Sequence, residues 1–530
     1  MAKKRPEASA RDVSAMWPHH SPQSPASAAE LARIRRGQHR GESLVSDADS
    51  RNHREVPYLL LAGVVAMLTP LRVALGPISD IDLYWHLLVG RDILAGTPVA
   101  DAGHGWSFSP VPDTWVSTQW LAETLFAKLE AIGGLDTLVV YRTFTFVAAL
   151  AVLAAVTLRH RPARAGVWLF TLGSLTLMLY TEERSQQLTF ILAPLVGWWI
   201  ERLWRTGRLP RWWLVLPLVA VWSNFHGGWV LLPLGLVLAA LARLLDHGWR
   251  DRAIVTSLLL AGATLAAACV SPSGWGNALA SLRFSANTGL IDEWHAVRVW
   301  DALTIPFLLA ILIVIVAWAR GRMRPSRGEI AIVLTLITFG FMAWRDMTPA
   351  LLMLSPVATG IVARALGDPD PPPARAPFGR VAIALGLVGA VAALTLAAVQ
   401  NRVVAPDTPR GLIAQIKNSP GDQRVLNTYN IAGPLLWLAG GPPHVQVAID
   451  GRADRYGAAR IDAYIRAFAA QPGWETLVDE IAPTYALLHS DEALGPVLVV
   501  ERHWVEVGRE GRYVLLRAPG SSGQSGAAAP

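Results

Sequence analysis

PYLLLAGVVAMLTPLRVALG, at residues 57–76, is an apolar run with one arginine, and PISDIDLYWH follows it directly at residues 77–86. A helix of about 20 apolar residues is long enough to cross the hydrocarbon core of a bilayer. The run ends just before Asp80 and Asp82, so these carboxylates are expected at a membrane surface. The sequence therefore predicts a membrane span with two acidic residues where the chain leaves the bilayer.

Ten more apolar runs follow the first one. Only 16% of the 530 residues are charged and 52% are hydrophobic, whereas soluble domains average about 25% charged residues. We therefore predict an α-helical polytopic membrane protein with about eleven transmembrane helices. The candidate spans are residues 57–76, 135–158, 165–181, 188–203, 211–224, 228–245, 253–271, 301–319, 329–344, 347–365 and 380–399.

The loops between these spans alternate in charge, which predicts their orientation. Cytoplasmic loops of membrane proteins are enriched in Lys and Arg. The N-terminus is therefore expected in the cytoplasm and the C-terminal region outside, with the chain in a bacterial cytoplasmic (inner or plasma) membrane. This topology accounts for the net charge of +7, and no nucleic-acid partner is predicted. Three or four arginines occur in each of the loops at 159–164, 204–211, 243–252, 320–328 and 364–380.

The domain organisation follows from composition. Residues 1–55 are rich in Ala, Ser, Arg and Pro and are predicted to form a disordered cytoplasmic tail. Residues 56–399 form the predicted transmembrane domain, with a long first outer loop at 77–134. In residues 400–518, short β-rich runs alternate with helical patterns, which predicts a small extracytoplasmic α/β domain. The β-rich runs are residues 424–426, 445–449, 484–488 and 513–516. Residues 519–530 are predicted to be a second disordered tail.

Acidic, histidine and arginine side chains collect in the predicted outer loops. Ionisable groups at one membrane face indicate a site that opens to that face. Arg142 lies about two turns into the second span, where it either forms a structural ion pair or meets a lipid phosphate. The predicted substrate-binding residues are His86, Asp101, Arg142, Arg184, His226, Glu293, His295 and Arg345.

Asp80 and Asp82 are the predicted catalytic residues. A carboxylate within hydrogen-bond distance can remove a proton from an acceptor hydroxyl. Two neighbouring carboxylates can instead hold a divalent cation, Mg²⁺ or Mn²⁺, as metal ligands. An isolated pair of aspartates also occurs in loops where it only interacts with solvent, so the residues alone leave these three alternatives open.

A second acidic motif, Asp450-Gly451-Arg452-Ala453-Asp454, follows an apolar run at residues 445–449. Ligands often bind at the ends of strands in α/β sheets. The aspartates and arginine of this motif can also pair with one another, and that interpretation is preferred slightly over a ligand site.

An ordered set of motifs resembles the GT-C glycosyltransferase superfamily, particularly bacterial polytopic proteins with a long first outer loop. The resemblance covers about residues 57–518. Its members are Asp80-Ile-Asp82-Leu-Tyr-Trp85-His86, Gly90, Pro98, Asp101, Ser107-Phe108-Ser109, Trp115, Trp120-Leu-Ala-Glu123, Arg184-Ser-Gln186, Asn224-Phe-His226-Gly227, Pro272-Ser-Gly274-Trp275, Glu293-Trp294 and Ile449-Asp450-Gly451-Arg452-Ala-Asp454.

The resemblance implies a glycosyltransferase that moves a sugar from a polyprenyl-phosphate-linked donor to an acceptor on the outer face. By motif position, Asp80 and Asp82 would supply the base or metal ligand. Two departures are Tyr84, where a tryptophan is often found, and the extra residues 102–106. The alternatives are a non-catalytic membrane scaffold for envelope assembly and a lipid or glycan transporter. A transporter would favour ionisable residues at the bilayer midplane and inverted repeats, and neither is evident.

Overall fold

The computed structural model describes residues 56–78, 80–110, 115, 117–159, 163–179, 182–283, 296–301, 304–321, 324–365, 377–399 and 407–520. The predicted tail at 1–55, most of the predicted tail at 519–530, and the predicted site residues Glu293 and His295 lie outside the described residues.

The first part of the chain is helical, and each of the eleven predicted spans overlaps one helix. The overlapping helices are α1, α4 to α9 and α11 to α14. The bounds are α1 Val56–Leu75, α2 Leu83–Leu94, α3 Trp120–Gly133, α4 Asp136–Thr157, α5 Ala163–Met178, α6 Gln187–Thr206, α7 Trp212–Phe225, α8 Leu231–His247, α9 Arg252–Ala268, α10 Trp275–Arg283, α11 Ile305–Arg320, α12 Arg327–Met342, α13 Trp344–Ala365 and α14 Pro377–Val399.

Five stretches of described helix are long and apolar enough to cross a membrane. They are α1, α4, the stretch Gly227–His247 that contains α8, α13, and Arg380–Val399 within α14. The apolar helices α7, α9 and α11 are shorter. The predicted helical architecture is confirmed, and the total of eleven membrane spans stays a prediction.

Helix α13 lies at the centre of the bundle, where it packs against α5, α6, α11 and α12. Of the residues in its apolar segment, 94% are buried. Gly197 of α6 allows the two backbones to approach closely, because a Cβ there would overlap the Met353 backbone carbonyl of α13; small residues serve the same purpose in other membrane helix pairs. Because α6 and α13 pack side by side, the two ends of this pair define the two ends of the bundle.

The C-terminal region contains a five-stranded sheet in the order β2-β1-β3-β5-β4, which confirms the predicted small α/β fold. Strand β1 is parallel to β2 and β3, whereas β5 is antiparallel to β3 and β4. The strands are β1 Gln423–Asn427, β2 Val445–Val447, β3 Tyr485–His489, β4 Val505–Glu510 and β5 Tyr513–Arg517. The helices are α15 Arg410–Lys417, α16 Ala432–Ala439, α17 Ala453–Phe468, α18 Trp474–Ile481 and α19 Leu494–Arg502.

The sheet shares its apolar core with the loop at residues 77–134. Ser107 pairs in parallel with Val447, so the loop extends the edge of the sheet beside β2. Trp85, Trp106 and Trp115 pack in the same cluster as the inner residues of β1, β2 and α16. Helix α16 also packs on α2. The carboxyl ends of β1 and β2 are thereby held against α2, the helix that follows the Asp80–Asp82 motif in the chain.

Candidate functional site

The first turn of α2 presents three polar side chains in close succession. Asp82 is the N-cap of this helix, and its Trp85 neighbour donates an indole N–H to Asp82 Oδ1 at 3.1 Å. The backbone N–H of His86 donates to the Asp82 carbonyl at 3.2 Å. Residues four apart lie on the same helix face, so Asp82 and His86 face the same side.

Asp80 is locked by Arg184 from the loop before α6. The Arg184 Nε donates to Asp80 Oδ2 at 2.9 Å and its Nη2 donates to Oδ1 at 3.1 Å. Oδ1 also accepts the Asp82 backbone N–H at 3.0 Å. The Asp80 side chain is 0% exposed. Two-point pairs of this kind fix geometry strongly, so Asp80 holds Arg184 in position.

Asp82 has a different environment from Asp80. Its Oδ2 accepts one 3.2 Å hydrogen bond from Arg184, and its side chain is 31% exposed. Burial raises the pKa of the Asp82 carboxyl above its ordinary value; Arg184 opposes this shift and Asp80 adds to it. A carboxyl with a raised pKa is a better proton acceptor once ionised. Of the two aspartates, Asp82 is the one that a bound molecule can reach.

Glu183 and Arg142 form a buried ion pair beneath this loop, at 2.7 Å between Oε1 and Nη1. Arg142 also donates to the carbonyls of Val73, Gly76 and Pro77 at 2.7–2.9 Å, which are the last turn of α1 and the residues after it. Burial raises the pKa of Glu183 to about 7, against the opposing charge of Arg142. The pair therefore ties α4 and the loop before α6 to the end of α1 that leads into Asp80.

His226 and Arg345 lie on the Arg184 side of the site. His226 Nδ1 accepts the Gly228 N–H at 2.9 Å and lies 2.8 Å from the Thr189 hydroxyl. An Nδ1 that accepts places the ring proton on Nε2, an assignment made from the hydrogen-bond network. Burial lowers the pKa of His226 to about 3, with contributions from the positive charges of Arg345 and Arg184. His226 is thus a neutral Nε2–H donor within electrostatic range of two arginines.

A Cβ at Gly228 would lie 2.3 Å from the Thr189 hydroxyl and 2.9 Å from His226 Nδ1. Such distances are shorter than van der Waals contact, so a larger residue would displace both groups. Glycine at this position is therefore required by the orientation of the histidine ring.

His86 belongs to a buried hydrogen-bond chain that includes Glu123 of helix α3. His86 Nδ1 lies 3.0 Å from Glu123 Oε1, and Ser117 donates to Glu123 Oε2 at 2.7 Å. The Glu123 side chain is 0% exposed and His86 is 7% exposed. A carboxylate that binds one ring nitrogen fixes both the ring orientation and the tautomer. Helix α3 therefore positions His86 beside Asp82.

The C-terminal sheet completes the site. A Cβ at Gly451 would lie 2.5 Å from Asp82 Oδ1 and 2.4 Å from Trp85 Nε1, so the backbone after β2 contacts Asp82 directly. Arg452 holds this turn through a two-point pair with Asp450, at 2.9 and 2.7 Å, and both side chains are 0% exposed. The internal Asp–Arg pairing expected for this motif is present, and it also presents Gly451 to Asp82.

Two further residues link the sheet to the site. Trp115, in the loop at residues 77–134, donates to both oxygens of Asp454 at 3.1 Å. Burial raises the pKa of the Tyr429 hydroxyl, and the negative charges of Asp82 and Asp450 add to the shift, which puts the ring within electrostatic range of both carboxylates. Tyr429 follows β1 and Gly451 follows β2, so two neighbouring strand ends border Asp82.

The oxygens of Asp80 and Asp82 are engaged by protein donors. Arg184, Trp85 and a backbone N–H take up these acceptors, and the described residues contain no group of three His, Cys, Asp or Glu side chains arranged to hold a metal ion. A guanidinium therefore stands where two carboxylates would otherwise share a cation. The metal-ligand role of Asp80 and Asp82 therefore stays a prediction, and the proton and charge chemistry of the site is argued from the protein groups themselves.

Among the described residues, the structure brings together most of the site residues that the sequence predicts. Asp101 is apart from them: it is exposed in a turn closed by its N–H to the Pro98 carbonyl, and no contact among the described residues joins it to Asp82. The residues that meet around or beneath Arg184 and Asp82 are Asp80, Asp82, His86, Arg142, Arg184, His226 and Arg345.

The sequence alone does not indicate a role for several residues that border the site. Glu183 stands beside Arg184 in the chain, and the motif around Gly451 follows a strand, so both carried a local signal. Ser117 and Tyr429 carried none, because each is an ordinary loop residue until the fold brings it to α2.

Comparisons with known proteins show likeness in fold. No family model matches the chain, and no curated protein matches it in sequence. Archaeal oligosaccharyltransferase AglB from Archaeoglobus fulgidus, solved with an inhibitory peptide and a dolichol-phosphate, has a TM-score of 0.52 at 11% identity and covers 82% of this chain and 69% of AglB. ArnT from Cupriavidus metallidurans, solved with undecaprenyl phosphate, has a TM-score of 0.49 at 13% identity. The match covers 88% of this chain and 98% of ArnT.

The chain therefore has the fold of the GT-C membrane glycosyltransferases, as the sequence motifs predicted. At this identity the likeness concerns the fold alone. What the protein does has to be argued from the arrangement of its own residues.

Proposed function

We propose that the protein is a glycosyltransferase that moves a sugar from a polyprenyl-phosphate-linked donor to an acceptor hydroxyl, on the outer face of a bacterial cytoplasmic membrane. The observation that carries the proposal is the contrast between Asp80, which is locked on Arg184, and Asp82, which is partly exposed beside the same arginine. A reachable carboxylate next to a fixed positive charge suits a reaction that takes a proton from one group and releases an anion.

Asp82 acts as the general base. Its carboxylate takes the proton of the acceptor hydroxyl, and the hydroxyl oxygen attacks the anomeric carbon of the donor sugar. The bond between that carbon and the phosphate oxygen breaks, and polyprenyl phosphate leaves with the electron pair. One glycosidic bond forms and one glycosyl phosphate bond breaks, so the step needs no co-reactant.

Arg184 binds the leaving phosphate, together with His226 and Arg345. Arg184 is held from behind by Asp80, so its charge is fixed before the donor arrives. The neutral His226 adds an N–H donor, and Arg345 adds a second positive charge within range. Preorganised donors aimed at developing negative charge stabilise a transition state more than mobile ones. AglB was solved in complex with a dolichol-phosphate, which supports a ligand of this class.

The acceptor approaches Asp82 from the C-terminal sheet. Oδ2 of Asp82 faces Arg184, whereas Oδ1 faces Trp85 and the Gly451 turn. The side of the carboxylate away from Arg184 is therefore bordered by Gly451, and Tyr429 lies within electrostatic range of it. We assign acceptor binding to these two strand ends and to His86, whose ring Glu123 holds at 3.0 Å.

The test uses the full-length protein reconstituted in lipid vesicles with polyprenyl-phosphate sugars. Release of polyprenyl phosphate is measured with and without candidate acceptors, and empty vesicles serve as the control. Donor-dependent release that increases with an acceptor supports the proposal. If no donor in a broad panel is bound or consumed, the scaffold alternative replaces it, and deletion of residues 400–518 then becomes the informative variant.

A further inference from the structure

A cavity of about 380 Å³ lies at the end of the bundle opposite the candidate site. Helices α6 and α13 begin beside Arg184 and Arg345 and end at Trp204, Arg205 and Arg364, which line the cavity. Helices of this length span about 30 Å. The cavity is therefore separate from the proposed catalytic site, at the far ends of the same two helices.

The two carboxylates that line this cavity, Asp246 and Glu329, are already engaged by protein donors. Asp246 accepts from the Trp204 indole at 2.8 Å, from the Ser326 hydroxyl at 2.6 Å and from the Gly328 N–H at 2.8 Å. Glu329 accepts from the Trp318 indole at 2.7 Å and pairs with Arg364. Neither carboxylate is left to bind a cation.

Donors remain where the acceptors are used. Arg364 Nη1 is buried and has no hydrogen-bond partner among the described residues. Arg205 gives one donor to Glu201 at 3.2 Å, and Arg324 is exposed at the rim. A guanidinium carries five N–H donors and no acceptor. A cavity with surplus arginine donors and saturated carboxylates is suited to a ligand made of acceptors.

We propose that this cavity binds the phosphate group of an anionic ligand, supplied by the headgroup of an anionic membrane phospholipid. Basic pockets between helices at a membrane surface bind such headgroups, and arginine matches phosphate oxygens in two-point geometry. Trp204 and Trp318 line the same cavity, and tryptophans are common at the level of lipid headgroups. The proposal does not depend on the glycosyltransferase activity.

The variant that tests it is Arg205→Gln combined with Arg324→Ala. Glu201 keeps Arg159 as a partner when Arg205 is replaced, and Arg324 is itself exposed and lies outside the helices. The matched control is Arg320→Ala with Arg327→Ala, because both arginines are exposed near the same end but neither lines the cavity. If the double variant Arg205→Gln with Arg324→Ala does not fold, the single variant Arg324→Ala replaces it in the test.

Two ligand sources are compared on purified full-length protein. In the first measurement, native mass spectrometry compares retention of phosphatidylglycerol with retention of phosphatidylcholine. In the second, thermal unfolding is followed with increasing inorganic phosphate or glycerol 3-phosphate. We expect wild type and the control to prefer phosphatidylglycerol, and the double variant to bind it at least about tenfold more weakly; the single change should weaken it about threefold.

A wild-type response to soluble phosphate without a lipid preference, lost in the cavity variant alone, would support the phosphate site and assign it to a soluble ligand. The proposal is overturned if wild type distinguishes neither lipid nor phosphate. It is also overturned if the control variant loses binding as much as the cavity variant.

Discussion

Arg184 and Asp80 form a two-point ion pair, with Nε to Oδ2 at 2.9 Å and Nη2 to Oδ1 at 3.1 Å, and the same Nη2 lies 3.2 Å from Oδ2 of Asp82. One guanidinium thus orders two carboxylates that are two residues apart in sequence. Because Asp80 is fully buried and Asp82 is partly exposed, the arrangement separates their roles. Asp80 positions the arginine, and Asp82 remains for chemistry.

Asp80→Asn is expected to weaken donor binding more than it slows turnover of bound donor. Arg184 would lose its two-point partner and keep only its single contacts with Asp82 and Glu182. The orientation of its charge would be less fixed, so the apparent KM for the lipid-linked donor should rise by about tenfold or more. Steady-state kinetics at several donor concentrations measure this split. A large fall in kcat with an unchanged KM would contradict the positioning role of Asp80.

Removal of divalent cations is expected to leave turnover unchanged. Arg184, Trp85 and a backbone N–H already occupy the oxygens of Asp80 and Asp82, and a guanidinium can stabilise the leaving phosphate without a metal. The measurement is product release before and after EDTA, with Mg²⁺ and Mn²⁺ added back. Loss of activity that either cation restores would show that the site rearranges to bind a metal.

Gly451→Ala is expected to impair turnover while the protein still folds. The new methyl group would lie within 2.5 Å of Asp82 Oδ1 and Trp85 Nε1, so the carboxylate or the indole must move. A displacement of about 1 Å at reacting groups can cost on the order of a hundredfold in rate.

The matched control for Gly451→Ala is Gly262→Ala, because a Cβ at Gly262 meets no atom within 4 Å. Both variants are compared by product release and by thermal unfolding. Wild-type turnover in Gly451→Ala would show that the C-terminal turn does not border the reacting groups.

The stability of the protein is expected to fall as pH rises through the range in which Glu183 ionises. Its pKa is raised from 4.5 to about 7 by burial, so the folded chain holds this proton more tightly than the unfolded chain. The contribution is complete below about pH 4.5 and is lost progressively as pH approaches 7. In Glu183→Gln, this part of the pH dependence should be absent. Thermal unfolding of both proteins between pH 4.5 and 8 measures the difference, and identical slopes would contradict it.

The sequence predicts the helices well because their apolar runs are long and local. All eleven runs coincide with helices, and the β-rich runs at 424–426, 445–449, 484–488 and 513–516 coincide with strands. Strand β4 was not predicted, because its sequence VEVGRE is mostly polar and largely exposed. A strand at the edge of a sheet needs little apolar surface, so its pattern carries a weak signal.

The candidate site is less predictable because it depends on contacts between distant parts of the chain. Charge in the loops suggested Asp80, Asp82 and Arg184 together, but their different burial follows only from packing. The contact of Gly451 with Asp82 joins residues more than 350 positions apart in the chain. A local sequence pattern cannot predict a contact between such distant residues. Asp101 lies in the same loop as Asp82 and carries the same charge. The turn at Pro98 nevertheless leaves Asp101 exposed and away from the site.

The central claim is that Asp82 removes the acceptor proton, and single-turnover kinetics of Asp82→Asn test it most directly. Wild type and the variant, reconstituted with a saturating lipid-linked sugar, are compared for donor binding and for release of polyprenyl phosphate. Asp422→Asn, an exposed aspartate before β1, is the control for the substitution itself. We predict that Asp82→Asn folds and binds donor but releases polyprenyl phosphate about a hundredfold or more slowly. Release at the wild-type rate by a folded, donor-bound variant would contradict the account.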